Sequence, residues 1–129
     1  GPRWADNALY LSHNTLLNDH HAGSFLSVAA DKFPAMAEVW AINNLTIGNG
    51  NFYPPAQGRF EGNRSVSKAE LIEYGGFPLR LSNLSVLRGA VRLPGSVGDV
   101  ALLPNAQFNY PVGTRPLRVS SALSPGAFQ

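Results

Sequence analysis

Apolar and polar residues alternate with a period of two between Leu84 and Leu93. Leu87, Gly89, Val91 and Leu93, with Ser85, share one face; Val86, Arg88, Ala90 and Arg92 share the other. One mostly apolar face against one bearing two arginines predicts a half-buried antiparallel strand. Pro94-Gly95-Ser96 then supplies turn chemistry. A second apolar run, Val97 to Leu103, stops at Pro104-Asn105, and a third, Leu117 to Leu123, follows Arg115-Pro116. Short strands punctuated by proline and glycine predict a β-meander or part of a sandwich.

The same reading extends through the rest of the chain. Ala8–Ser12, Ser24–Ala30, Glu38–Ile47 and Phe77–Ser82 are strand candidates, with Pro78 placing the last at an edge. Asn14–Gly23 and Gly48–Gly58 read as loops, rich in Asn, Gly, His and Pro. Ser67–Gly75 reads as a short helix, with Ser67 and Glu70 in capping-box spacing and Gly75 at its end; a strand through Leu71, Ile72 and Tyr74 is the rival reading. No internal repeat or heptad is read from the chain. The expected fold is all-β, mainly an antiparallel β-sandwich or jelly-roll-like, with at most one or two short helices. Residues 1–129 form a single domain, in which Gly1-Pro2 reads as a tag remnant and residues 3–7 as an N-terminal arm.

Composition narrows the functional classes. Charged residues are only 14% of the chain against 44% hydrophobic, too apolar for disorder and suited to a subunit that hides surface in an assembly. The net charge is +2 and the arginines are scattered, so no nucleic-acid footprint is visible. No apolar run approaches the roughly 18 residues of a membrane span, and no signal peptide is expected. The absence of cysteine excludes disulfides, thiolate nucleophiles and Cys-ligated zinc.

Candidate chemistry is sparse. Asn18-Asp19-His20-His21, with His13 nearby, is the one His/Asp cluster and reads chiefly as a solvated loop; one histidine per chain on a trimer axis is the way it would bind metal. No metal and no cofactor is expected. Glu61, Glu70 and Glu73 offer carboxylates for a glycosidase-type pair, but a solvated surface explains them more simply. Asn44, Asn63 and Asn83 begin glycosylation triplets. Among aromatic residues with polar handles, Trp40 reads as core, whereas Tyr53 and Tyr110 lie in Gly/Asn/Pro loops. The expected ligand-binding residues are Asn51, Phe52 and Tyr53 in one loop and Phe108, Asn109 and Tyr110 in the other, with asparagine serving hydroxyl groups and aromatic rings serving sugar faces.

Val86-Leu87-Arg88-Gly89-Ala90-Val91, Gly98-Asp99-Val100-Ala101-Leu102-Leu103-Pro104 and Gly113-Thr114-Arg115-Pro116 together resemble a pattern of phage tail-fibre and receptor-binding-protein domains. The insertion Asn105–Thr114 departs from that pattern. The resemblance implies a β-sandwich, a homotrimer, a place in the virion tail appendage outside the cell, and recognition of a bacterial surface polysaccharide or protein. It implies no enzyme, no nucleic acid and no membrane insertion. A free carbohydrate-binding β-sandwich module of a secreted protein is the alternative, and a small hydrolase using Glu61 or Glu70 is a third reading.

Overall fold

Short strands, several of them joined by two-residue corners, build the described part of this chain. The computed structural model describes residues 8–27, 38–53, 58–74, 77–108, 112–118 and 122–129, with the backbone alone at 53, 73, 74 and 77–79. The first coil holds β1 (Ala8–Ser12), β2 (Thr15–Asn18) and β3 (Ser24–Ser27). The second holds β4 (Glu38–Ile42), β5 (Leu45–Gly48) and β6 (Asn51–Tyr53). The third begins with β7 (Gly58–Glu61) and β8 (Arg64–Val66). Each strand pairs in parallel with its counterpart one coil away, giving sheets β1-β4-β7, β2-β5-β8 and β3-β6. This is a parallel β-solenoid, in which every coil rests on the next.

The all-β class is as expected, but the pairing is a correction: the described strands between residues 8 and 66 pair in parallel coils and not as an antiparallel sandwich. Strand alternation reports only which face is buried, and both pairings satisfy it. The repeat is a second correction. Corners recur at His13-Asn14, Asn43-Asn44 and Gly62-Asn63. The first residue of each is left-handed, at φ of 54°, 57° and 68°. At the third corner a Cβ would collide with Asn43 Oδ1, so glycine is the residue that fits.

The second residue of each corner is asparagine, and the three form a ladder. Asn44 Oδ1 accepts from the Asn14 backbone N–H (2.8 Å) and from Asn14 Nδ2 (3.1 Å). Asn63 Oδ1 accepts in the same way from Asn44 N (3.0 Å) and Nδ2 (2.9 Å). Asn44 Nδ2 also reaches Leu11 O, and Asn63 Nδ2 reaches Ala41 O. The corners thereby satisfy polar groups that strand pairing leaves over. Asn44 and Asn63 are thus ladder residues and not free glycan acceptors; Asn83 is the exposed member of the three triplets.

After β8 the path changes. Lys68–Glu70 is one 3-10 turn, with Glu70 Oε2 accepting from Ser67 N (2.8 Å), and β9 (Leu71–Tyr74) pairs antiparallel with β10 (Phe77–Leu81). The capping pair is present, but the expected helix over Ser67–Gly75 is a single turn followed by the rival strand. Two turns of helix gain too little to compete with a hairpin that buries Leu81 against Leu45, Ile47 and Val66. Strands also occupy parts of both expected loops, as β2 and β6.

Leu84–Leu93 is not a strand. Residues 83–89 are turns, with Leu84 and Val86 exposed at 92% and 90%, and only β11 (Val91–Arg92) is extended. Ser82 and Ser85 hydroxyls accept from the N–H groups of Leu84 and Leu87, a local alternative to a ladder. β12 (Ser96–Val97) and β13 (Val100–Ala101) make a tiny hairpin within the second apolar run. β14 (Ala106–Phe108) pairs with β15 (Thr114–Pro116), and β16 (Ala122–Leu123) pairs with β11. The third expected strand therefore reduces to β16 among the described residues. Val91 remains a core position beside Leu123. Val91→Ala is expected to cost about 1 to 3 kcal/mol, whereas Leu84→Ala should be near neutral; urea unfolding of both variants checks this.

The C-terminal segment is tied back onto the first two coils. Gly126 N donates to Asn43 O (2.8 Å), and Ala127 N to Thr15 Oγ1 (2.9 Å). Gln129 bridges Ser124, Gly126 and Gln107. His13 is buried at this junction. Its Nε2 faces Asn43 Nδ2 at 3.1 Å, which makes Nε2 the acceptor, while Nδ1 makes no well-formed hydrogen bond among the described residues. Burial lowers its pKa below the ordinary 6.5, opposed more weakly by the backbone of Gly126 and Ser124. The unfolded chain therefore takes up the proton first as pH falls. Stability should be full above about pH 6.5 and decline below it, down to the depressed folded-state pKa. Unfolding free energies at pH 7.5 and 5.5 should show this loss, and His13→Asn should remove it.

Candidate functional site

On the sheet β1-β4-β7 the register sets Tyr10, Trp40 and Arg59 in one column across the coils, with Ser12, Ile42 and Glu61 in the next. Val39 and Ala41, between them in sequence, point inward and are buried. Trp40 is therefore on the outer face and only half-buried. Its indole N–H donates to Glu38 Oε2 (3.2 Å), and the Arg59 guanidinium lies 5.1 Å from its ring centroid. This cation–π contact holds the ring and the charge together. Arg59 also meets Glu61 at 3.4 Å, an exposed pair worth little by itself.

The segment Val91–Leu102 runs along this column. Ser12 Oγ donates to Leu102 O (2.7 Å), and Asn43 Nδ2 donates to Arg92 O (2.8 Å). Between segment and sheet lies a cleft of about 370 Å³ with Trp40, Arg59, Glu61, Arg64 and Arg92 among its lining residues. Three arginines face one glutamate. Arg64 donates to its neighbour's carbonyl, Asn63 O, and neither Arg64 nor Arg92 has a carboxylate partner among the described residues. An apolar ring face beside guanidinium groups suits a sugar ring that carries an acidic substituent.

The residues expected to bind ligand fall elsewhere. Phe52 packs between Phe25 (6.0 Å) and Phe60 (5.9 Å, edge-on), an aromatic stack along the coils. Asn51 is exposed and, with His21, Gly23 and Asn49, lines an open depression of about 550 Å³ with no Trp, Tyr or Phe among its described lining residues. Phe108 is exposed on β14, which belongs to a different sheet from β6. The Tyr53 side chain, Asn109 and Tyr110 lie outside the described residues, as do Gly1-Pro2 and the arm at 3–7. His20 and His21 are exposed while His13 is buried, and among the described residues no group of three or more His, Cys, Asp or Glu could hold a metal ion. Glu61 lines the cleft, whereas Glu70 caps the 3-10 turn and is not part of the lining.

Trp40 and Arg59 were legible only in part. The apolar run around Trp40 makes it read as core, and the structure corrects this. Val39 and Ala41 are the buried residues, while Trp40 stands half-buried on the outer face beside Arg59, which its sequence neighbours do not single out. What pairs them is the parallel register, which alternation does not reveal. Neither a family model, nor a curated protein, nor a solved structure matches this chain.

Proposed function

We propose that the chain is a non-enzymatic adhesion module that binds acidic saccharide, such as a bacterial surface polysaccharide, in the Trp40 cleft. The observation that carries this reading is Trp40 held outward on the solenoid wall with Arg59 at 5.1 Å, at the margin of a cleft whose Arg64 and Arg92 lack carboxylate partners among the described residues. The indole offers a stacking face, and the guanidinium groups offer forked donors to carboxylate, sulfate or phosphate on the sugar. The strands fix where these side chains start and the Trp40–Arg59 contact holds that pair, while the exposed Arg64 and Arg92 must be ordered on binding. A homotrimeric receptor-binding role in a virion tail appendage, implied by the resemblance over residues 86–116, is one setting for such a module; light scattering tests the trimer.

The cleft is tested on an array of acidic and neutral polysaccharides. Binding to acidic members is expected, weakening with added salt. Trp40→Ala and Arg92→Gln should each weaken it by about 1 to 3 kcal/mol, as interface anchors do, with the melting temperature held. Unchanged affinity in both variants, or preference for neutral glycans, would reject the cleft as the binding site.

A further inference from the structure

The first coil is built as an interior coil but stands at an end. β1, β2 and β3 each pair on one edge only among the described residues. Leu9 and Leu17 point the same way as their register partners Val39 and Ile47. Yet Leu9 and Leu17 are each 42% exposed, where Val39 is 2% and Ile47 0%. A solenoid end in water needs a polar cap, and this one presents leucine. The asparagine ladder ends at the same place. Asn44 and Asn63 each accept two hydrogen bonds on Oδ1 from the coil before, whereas no donor reaches Asn14 Oδ1 among the described residues.

We propose that this end docks one more parallel β-coil, with apolar strands and an asparagine at its corner, supplied by polypeptide outside residues 8–129. The occupant follows from continuity with the interface between the first two coils. It must extend three parallel edges in register, cover Leu9 and Leu17, and bring a backbone N–H and an amide Nδ2 to Asn14 Oδ1. A second copy of this chain does not meet those requirements. Its far end offers only β7 and β8 as parallel edges, with no third strand stacked on β6 among the described residues, and Leu71, Leu81 and Leu87 already pack in the cluster that contains Val66. Its near end, turned to face this one, runs its strands antiparallel and out of register with the ladder.

Hydrogen exchange by mass spectrometry on the whole chain tests this. In the chain alone, amides in 8–18 should exchange at least about tenfold faster than those in the register-matched segment 38–48. A synthetic peptide of residues 38–53, which carries the Asn44 corner, should slow exchange in 8–18 when added in excess. The same peptide with Asn44→Ala should protect clearly less. Equal exchange in the two segments of the isolated chain, fast or slow, overturns the proposal, as does absence of protection by the peptide. Self-association that Leu17→Lys abolishes would make a second copy the occupant and overturn it equally.

Discussion

Asn44→Ala is expected to destabilise the chain by about 3 to 5 kcal/mol, the largest effect of any single polar replacement here. The side chain is fully buried and makes four hydrogen bonds, two accepted from Asn14 and one donated to each of Leu11 O and Asn63 Oδ1. Alanine leaves the Asn14 N–H without its partner inside the corner and removes a donor from the Leu11 carbonyl. Each such buried group costs about 1 to 3 kcal/mol, and the vacated volume adds to this. The left-handed backbone at Asn43 also loses part of what holds it. Asn14→Ala should cost markedly less, since that residue sits at the open end of the ladder with one side unmatched. Denaturant unfolding of both variants measures the difference; equal losses would mean that the ladder does not act through two-sided partners.

Ile47→Ala should follow closely, at about 2 to 5 kcal/mol, as expected for a large aliphatic side chain removed from a close-packed core. Ile47 is fully buried in the cluster with Leu45, Val66 and Leu81. Its register partner Leu17 gives an internal control, because the same coil position is half-open there. Leu17→Ala should cost under about 1 kcal/mol, since little burial is lost. Calorimetric melting of the two variants checks the contrast, and comparable shifts would place the core elsewhere.

Much of this was legible in residue order, but unevenly. Apolar runs give Ala8–Ser12 and Glu38–Ile42 as strands, and alternation separates Val39 and Ala41 from Trp40 and Ile42, but it does not say which face is inner, and Trp40 reads as core. Proline and glycine give some of the breaks, but Glu38–Ile47 reads as one strand and hides the corner at Asn43-Asn44 that divides β4 from β5. Pairing sense is not in the alternation, because parallel and antiparallel strands share a period of two. The repeat was hidden by its spacing: Asn14, Asn44 and Asn63 are 30 and then 19 residues apart, so no fixed period exists. The left-handed corner position is filled in turn by histidine, asparagine and glycine, alike in backbone conformation and unlike in letters. The long alternation at Leu84–Leu93 misled because Ser82 and Ser85 cap turns there with their own hydroxyls. The Trp40 cleft needed both the register of β4 on β7 and the path of residues 91–102, neither of which is a local property.

The tie between the C-terminal segment and the first coils has a temporal consequence. Ala127 bonds to Thr15 across 112 positions, and Ser12 bonds to Leu102 across 90. Contacts of such separation close late, because the loop between them must first be ordered. On a ribosome the coils can assemble as they emerge, but His13 and Asn43 stay uncovered until residues 124–127 arrive. The corner at His13 and Asn43 is therefore made well before the residues that seal it.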